Sequence, residues 1–158
     1  MSNDAYFDGM KLLARRELSE AQVRQRLGRR GHRPDAIDSA VERLKSSRAI
    51  DDARVAEAIA RTERSIRKRG KLRVKQQIER AGIAAEVART AITDVCAQTD
   101  DAELIEGALA KRLRGSASIA DDREFHRLYR YLLGQGFEPE LILKSLDRRR
   151  ATTPRDDE

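Results

Sequence analysis

Three glycines, Gly31, Gly82 and Gly136, stand 51 and 54 residues apart in matching surroundings. Four residues before each lies Leu27, Ile78 or Leu132, and eight before it Val23, Val74 or Leu128. That spacing lines up apolar side chains on one face of a helix running into the glycine. One residue after the glycine comes His32, Ile83 or Phe137, and ten after it Val41, Ile92 or Leu146, so a second apolar stripe follows each turn. A helix commonly ends at a left-handed residue, where glycine avoids the Cβ penalty, and the next apolar residue folds back on the helix just closed. His32 fits that role least well. A unit of about 50 residues buries too little by itself, so neighbouring units are expected to stack into an elongated, curved array.

A further helix precedes each pair, and hydrogen-bond acceptors mark the starts. Asp51-Asp52 opens a helix with Val55, Ile59 and Ile66 on its packed face, and Asp100-Asp101 opens one with Leu104, Ala108, Leu109 and Leu113. Ser19 with Gln22 forms a capping-box pattern, Asp121 with Glu124 resembles one, and Pro34 and Pro139 suit first-turn positions. The sequence therefore predicts an all-α chain of about nine helices in three tandem three-helix repeats. The repeats are drawn at 1–49, 50–99 and 100–150, with 151–158 a disordered C-terminal tail. The helices are expected over 4–16, 19–30, 34–47, 51–69, 71–81, 84–98, 100–114, 121–135 and 138–149. Aromatics at 4% and three prolines suit narrow aliphatic stripes between helices.

The formal charge of +6 is unevenly spread. Between Arg61 and Lys75 eight cations face one anion, Glu63. A second cluster runs through Arg15, Arg16, Arg24, Arg26, Arg29, Arg30 and Arg33, interrupted by Glu17 and Glu20. Such density points to a polyanionic partner, against the alternative of a solvated face balanced by acids elsewhere. Helical spacing puts Arg54, Arg61, Arg64 and Lys68 on one side, away from Val55, Ile59 and Ile66. The contact residues expected from charge density are Arg61, Arg64, Arg67, Lys68, Lys71, Arg73 and Lys75. Without aromatic interleaving or a recognition helix, sequence-specific reading of DNA is not expected.

No catalytic site, metal site or cofactor emerges. Asp51-Asp52, Asp100-Asp101 and Asp121-Asp122 each precede a helix, and capping accounts for them better than a metal-dependent nuclease does. His32 and His126 belong to no ligand spacing, and Gly70-Lys71-Leu72 lacks the remaining parts of a phosphate loop. Cys96 falls in the apolar series Val87, Ala91, Ile92, Val95 and is read as core packing. With neither a leader nor an apolar run of membrane-spanning length, a cytoplasmic protein with no membrane contact is expected.

The stretches Leu12-Leu13-Ala14-Arg15-Arg16-Glu17-Leu18-Ser19, Leu27 to Gly31, Ile50-Asp51-Asp52-Ala53-Arg54-Val55-Ala56 and Gly70-Lys71-Leu72-Arg73-Val74, with Gly82-Ile83 and Gly136-Phe137, resemble the RecX family in order and spacing. The resemblance runs from about residue 5 to residue 149. It implies a non-catalytic regulator of the bacterial RecA recombinase, lying along the groove of the RecA filament on single-stranded DNA. It further implies inhibition of RecA's ATPase, strand exchange and co-protease activities, and so modulation of recombination, DNA repair and the SOS response. His32 and the short segment before Tyr6 depart from the family pattern in the first repeat. A densely charged surface without heptads makes a monomer the expectation. The competing reading is a general DNA-binding protein acting, without sequence specificity, through its basic face.

Overall fold

The computed structural model describes residues 4–115 and 118–150; the tail expected over 151–158 lies outside the described residues. Among them are nine α-helices: α1 (Ala5–Arg15), α2 (Glu20–Arg29), α3 (Pro34–Ser46), α4 (Asp52–Arg61), α5 (Lys71–Arg80), α6 (Ala85–Cys96), α7 (Asp101–Leu113), α8 (Asp122–Gly134) and α9 (Pro139–Arg148). A π-helical turn, Thr62–Ile66, extends α4. Extended pairing among the described residues is confined to one isolated bridge, Ile119 to Arg150.

The helix starts follow the cap chemistry. Asp4, Asp51, Asp100 and Asp121 accept from the backbone N–H groups of Tyr6, Arg54, Ala102 and Glu124. Ser19 and Gln22 complete a reciprocal capping box, and Pro34 and Pro139 sit in first turns. Glu124 differs from the expected box: its carboxylate accepts from the N–H of Ala120, one residue before the cap.

Three apolar clusters form, one for each set of three helices, here called triplets. In each, the first and third helices pack together (α1 on α3, α4 on α6, α7 on α9) and the second lies on the third. Leu27, Ile78 and Leu132 have no exposed surface. Burying side chains of this size stabilises by about 1.5–3 kcal/mol each. Cys96 is buried with them, and burial pushes its thiol pKa up.

The three glycine turns are left-handed, with φ of 89°, 75° and 91° at Gly31, Gly82 and Gly136. In the first, the N–H of His32 reaches Leu27 O and that of Gly31 reaches Gly28 O, the double closure that satisfies free carbonyls at a helix end. Phe137 and Gly136 repeat it on Leu132 and Leu133. Ile83 and Phe137 are buried behind their turns. His32 is accommodated differently: its Nε2 lies 2.7 Å from Oδ2 of buried Asp8 on α1.

The helix expected over 51–69 is α-helical only as far as Arg61. Its fourth turn is π-helical, and the N–H of Arg67 bonds to Thr62 O, five residues back. A π-turn carries about one extra residue, so side chains lag their α-helical positions progressively through it, by roughly a quarter-turn at its end. Ile66, expected on the packed face, is 74% exposed, whereas Arg64, expected on the solvent side, is 3% exposed.

Candidate functional site

In two of the three Asp pairs the second acid has a role that spacing within one helix does not reveal. Asp51 caps α4, but Asp52 Oδ1 accepts from the N–H of Glu20, the first residue of α2, at 2.8 Å. Asp100 caps α7, and Asp101 Oδ2 accepts from the N–H of Lys71, the first residue of α5, at 3.3 Å. Each acid therefore satisfies a free donor at a helix start in the preceding triplet. The two junctions also share a close backbone approach. Ser19 Oγ donates to Ala81 O, and a Cβ on Gly82 would sit 2.5 Å from that of Ala21. At the second junction the N–H groups of Gly70 and Leu72 reach Gln135 O (2.9 Å) and Gly136 O (3.1 Å), and a Cβ on Gly136 would overlap Arg73.

Arg64 completes the second junction. Its guanidinium donates to Asp101 Oδ1, to Thr99 O and, at 3.2 Å, to Arg69 O, while its buried Nε finds no partner among the described residues. It is thus a structural cation and is removed from the expected contact face. The π-turn makes this possible by swinging its side chain inward. Glu63, also buried, collects Arg67 (3.2 Å) and Arg69 (3.0 Å).

The other expected contact residues differ in exposure and pairing. Arg61 is exposed and pairs with Glu57 at 2.5 Å. Arg67 and Lys68 stand exposed at the end of the π-turn, Lys68 with left-handed backbone (φ 58°). Lys71 is exposed at the start of α5. Arg73 is half-buried against Gly136, with its Nε unpartnered and its Nη1 3.2 Å from Gln76. Lys75 lies 3.9 Å from Glu79. In the first cluster, Asp38 and Glu20 hold the pKa of Arg24 above its ordinary value, chiefly through the 2.6 Å bond to Asp38.

Two hollows flank the contact between Gly70 and Gly136. One, of about 380 Å³, is bordered by Leu72, Arg73, Lys75 and Leu133. The other, of about 560 Å³, lies between the π-turn and helices α7 and α8, bordered by Ile66, Arg67, Lys68, Lys111, Arg112 and Tyr131. Arg112 lies over the Tyr131 ring, 3.3 Å from its centroid. Charge density along the chain missed the α7 and α8 members. The adjacent cations Lys111-Arg112 were the available signal, but they are two residues against a run of eight. Among the described residues no group of three or more His, Cys, Asp or Glu is gathered to hold a metal. No described helix is long and apolar enough to cross a membrane.

Residues 5–44 match the family model described as "RecX, first three-helix domain", and residues 51–92 match "RecX, second three-helix domain". The chain belongs to the RecX family. It is 31% identical to the regulatory protein RecX of Syntrophotalea carbinolica, over 89% of this chain and 93% of that protein. It is 35% identical to that of Chromohalobacter salexigens, over 85% and 86% respectively. The fold is similar to the crystal structure of RecX from Lactobacillus salivarius, with a TM-score of 0.73, 19% identity, and 90% and 94% of the two chains covered. As a RecX protein the chain is a regulator rather than an enzyme. Of the acids that raised the nuclease alternative, Asp51, Asp100 and Asp121 serve as caps and Asp52 and Asp101 as junctions.

Proposed function

We propose that this RecX protein acts in the cytoplasm on the RecA filament assembled on single-stranded DNA, suppressing its ATPase, strand exchange and co-protease activities and so tempering recombination, repair and the SOS response. The observation that carries the reading is the family match across two consecutive three-helix domains, with relatives alike over most of the chain. Successive triplets, each a repeat, supply a continuous series of surfaces, and contacts spread along them make binding multivalent. Exposed cations at Arg61, Arg67, Lys68, Lys71 and Lys75 suit acidic filament walls or the DNA phosphates. In this reading the protein acts as a monomer.

The test is single-strand-dependent ATP hydrolysis by RecA, titrated with the wild-type chain and with a Lys68→Glu, Lys75→Glu variant shown by circular dichroism to be folded. Both lysines are exposed and neither carries a junction, so reversal probes the surface alone. Inhibition below one protein per RecA protomer, weakened in the variant, is expected. Unchanged hydrolysis together with steeply salt-dependent binding to bare DNA would replace this reading with general DNA binding.

A further inference from the structure

The larger hollow combines three features that packing within the chain does not require. Its mouth carries Ile66, a large aliphatic side chain 74% exposed and turned outward by the π-turn. Its α7 wall includes Gly107, the seventh of thirteen residues in that helix, where a Cβ would meet nothing within 4 Å. Glycine weakens a helix interior relative to alanine, and here no neighbour needs the space. Its rim is cationic, with Arg67, Lys68, Lys111 and Arg112 against Glu103. An open apolar floor, an exposed aliphatic group and four cations against one anion together describe a groove for an amphipathic, acidic occupant.

We propose that this groove docks an acidic peptide segment of a protein partner, with an aliphatic or aromatic anchor seated over Gly107 and flanking carboxylates on Lys68, Lys111 and Arg67. The inference rests on the regulatory reading only in expecting that partner to be a protein. A nucleic-acid strand fits less well. Its phosphates would satisfy the rim but leave Ile66 and Leu104 facing sugar and phosphate, and Arg112 already covers the Tyr131 face on which a base would stack. A peptide places charge and apolar surface where each is matched.

The experiment uses the full chain without RecA and a panel of fluorescein-labelled peptides in which glutamate alternates with leucine, isoleucine or phenylalanine. An all-glutamate peptide of equal length and an oligo-dT strand serve as comparisons, and fluorescence anisotropy is the readout. Saturable binding of the mixed peptides is expected, weaker for all-glutamate and reduced by salt. Gly107→Leu fills the floor in open space and favours the helix, so it is expected to fold and to weaken binding about tenfold or more. Ile66→Ser, at an exposed position, is expected to weaken it in the same direction. No saturable binding across the panel overturns the proposal, as does binding unchanged in a folded Gly107→Leu variant. Binding of oligo-dT alone, lost on Gly107→Leu, overturns it in favour of a strand groove. RecA hydrolysis, assayed separately on the wild type, reports the regulatory reading: inhibition without peptide binding sinks only the groove, and peptide binding without inhibition sinks only the RecA assignment.

Discussion

The guanidinium of Arg64 and the carboxylate of Asp101, both buried, join the second and third triplets. Asp101 is shared: one oxygen takes Arg64 and the other the N–H of Lys71. Removing one partner of a buried pair strands the other charge and costs about 3–5 kcal/mol. Arg64→Ala is therefore expected to lower stability by about that amount in urea denaturation. Arg64→Lys should recover only part, since one ammonium does not reproduce a fork reaching Asp101, Thr99 and Arg69. A loss below about 1 kcal/mol, typical of a surface pair, would refute the structural role. Charge reversal at Arg64 would report unfolding and not partner binding.

Asp51 and Asp52 are adjacent but serve different triplets, so their substitutions should separate. Asp51→Ala removes a cap from α4 and is expected to cost about 1 kcal/mol. Asp52→Ala removes the acceptor for the N–H of Glu20, across the junction. Its signature is hydrogen exchange: the Glu20 amide should lose protection in Asp52→Ala and keep it in Asp51→Ala. Equal protection in both variants would count against Asp52 as a junction residue.

The parts legible in the sequence were those encoded by short-range periodicity. The glycine turns, the caps at Asp51, Asp100 and Asp121, the capping box at Ser19 and the apolar stripes depend on residues within a few positions of one another. Arg64 was misread because its orientation depends on a π-turn that breaks the 3.6-residue period, and its partner lies 37 residues away. Asp52 and Asp101 looked like redundant caps because the donors they serve, on Glu20 and Lys71, are 32 and 30 residues earlier. In the candidate site, charge density along the chain led to Arg67 and Lys68. Lys111, Arg112 and Tyr131 join them only through packing of α7 and α8 beside the π-turn.

Gly31 and Gly136 have nearly the same φ, 89° and 91°, but different neighbours. Around Gly31 a Cβ meets nothing within 4 Å, so Gly31→Ala incurs only left-handed strain, about 1 kcal/mol. At Gly136 the added carbon overlaps the backbone and Cβ of Arg73, so the third triplet must move off the second. Gly136→Ala is expected to cost well over twice as much, with about 2–4 °C of melting temperature lost per kcal/mol. Similar melting temperatures for the two variants would mean that the junction is not close-packed at this turn.

Asp8 and His32 give the first triplet an acid-sensitive contact. The hydrogen bond from His32 holds the Asp8 carboxyl below its ordinary pKa of 3.8, helped by the charge of Arg30 and opposed by burial. A carboxyl with a depressed folded-state pKa contributes stability that is fully present above the unfolded value, near 4, and is lost as pH falls through the folded value. Wild-type stability should therefore fall as pH drops below about 4, and Asp8→Asn should show a shallower fall over the same window. His32→Phe makes the residue after Gly31 apolar, like Ile83 and Phe137, yet is expected to destabilise at neutral pH because Asp8 stays buried without its nearest partner. Pairing it with Asp8→Leu removes the stranded carboxylate and should restore much of the loss. Urea denaturation of the wild type, of Asp8→Asn, Asp8→Leu and His32→Phe, and of the Asp8→Leu, His32→Phe double variant from pH 2 to 7 completes the cycle. An unchanged acid limb in Asp8→Asn, or additive losses in the double variant, would show that the pair contributes no coupling.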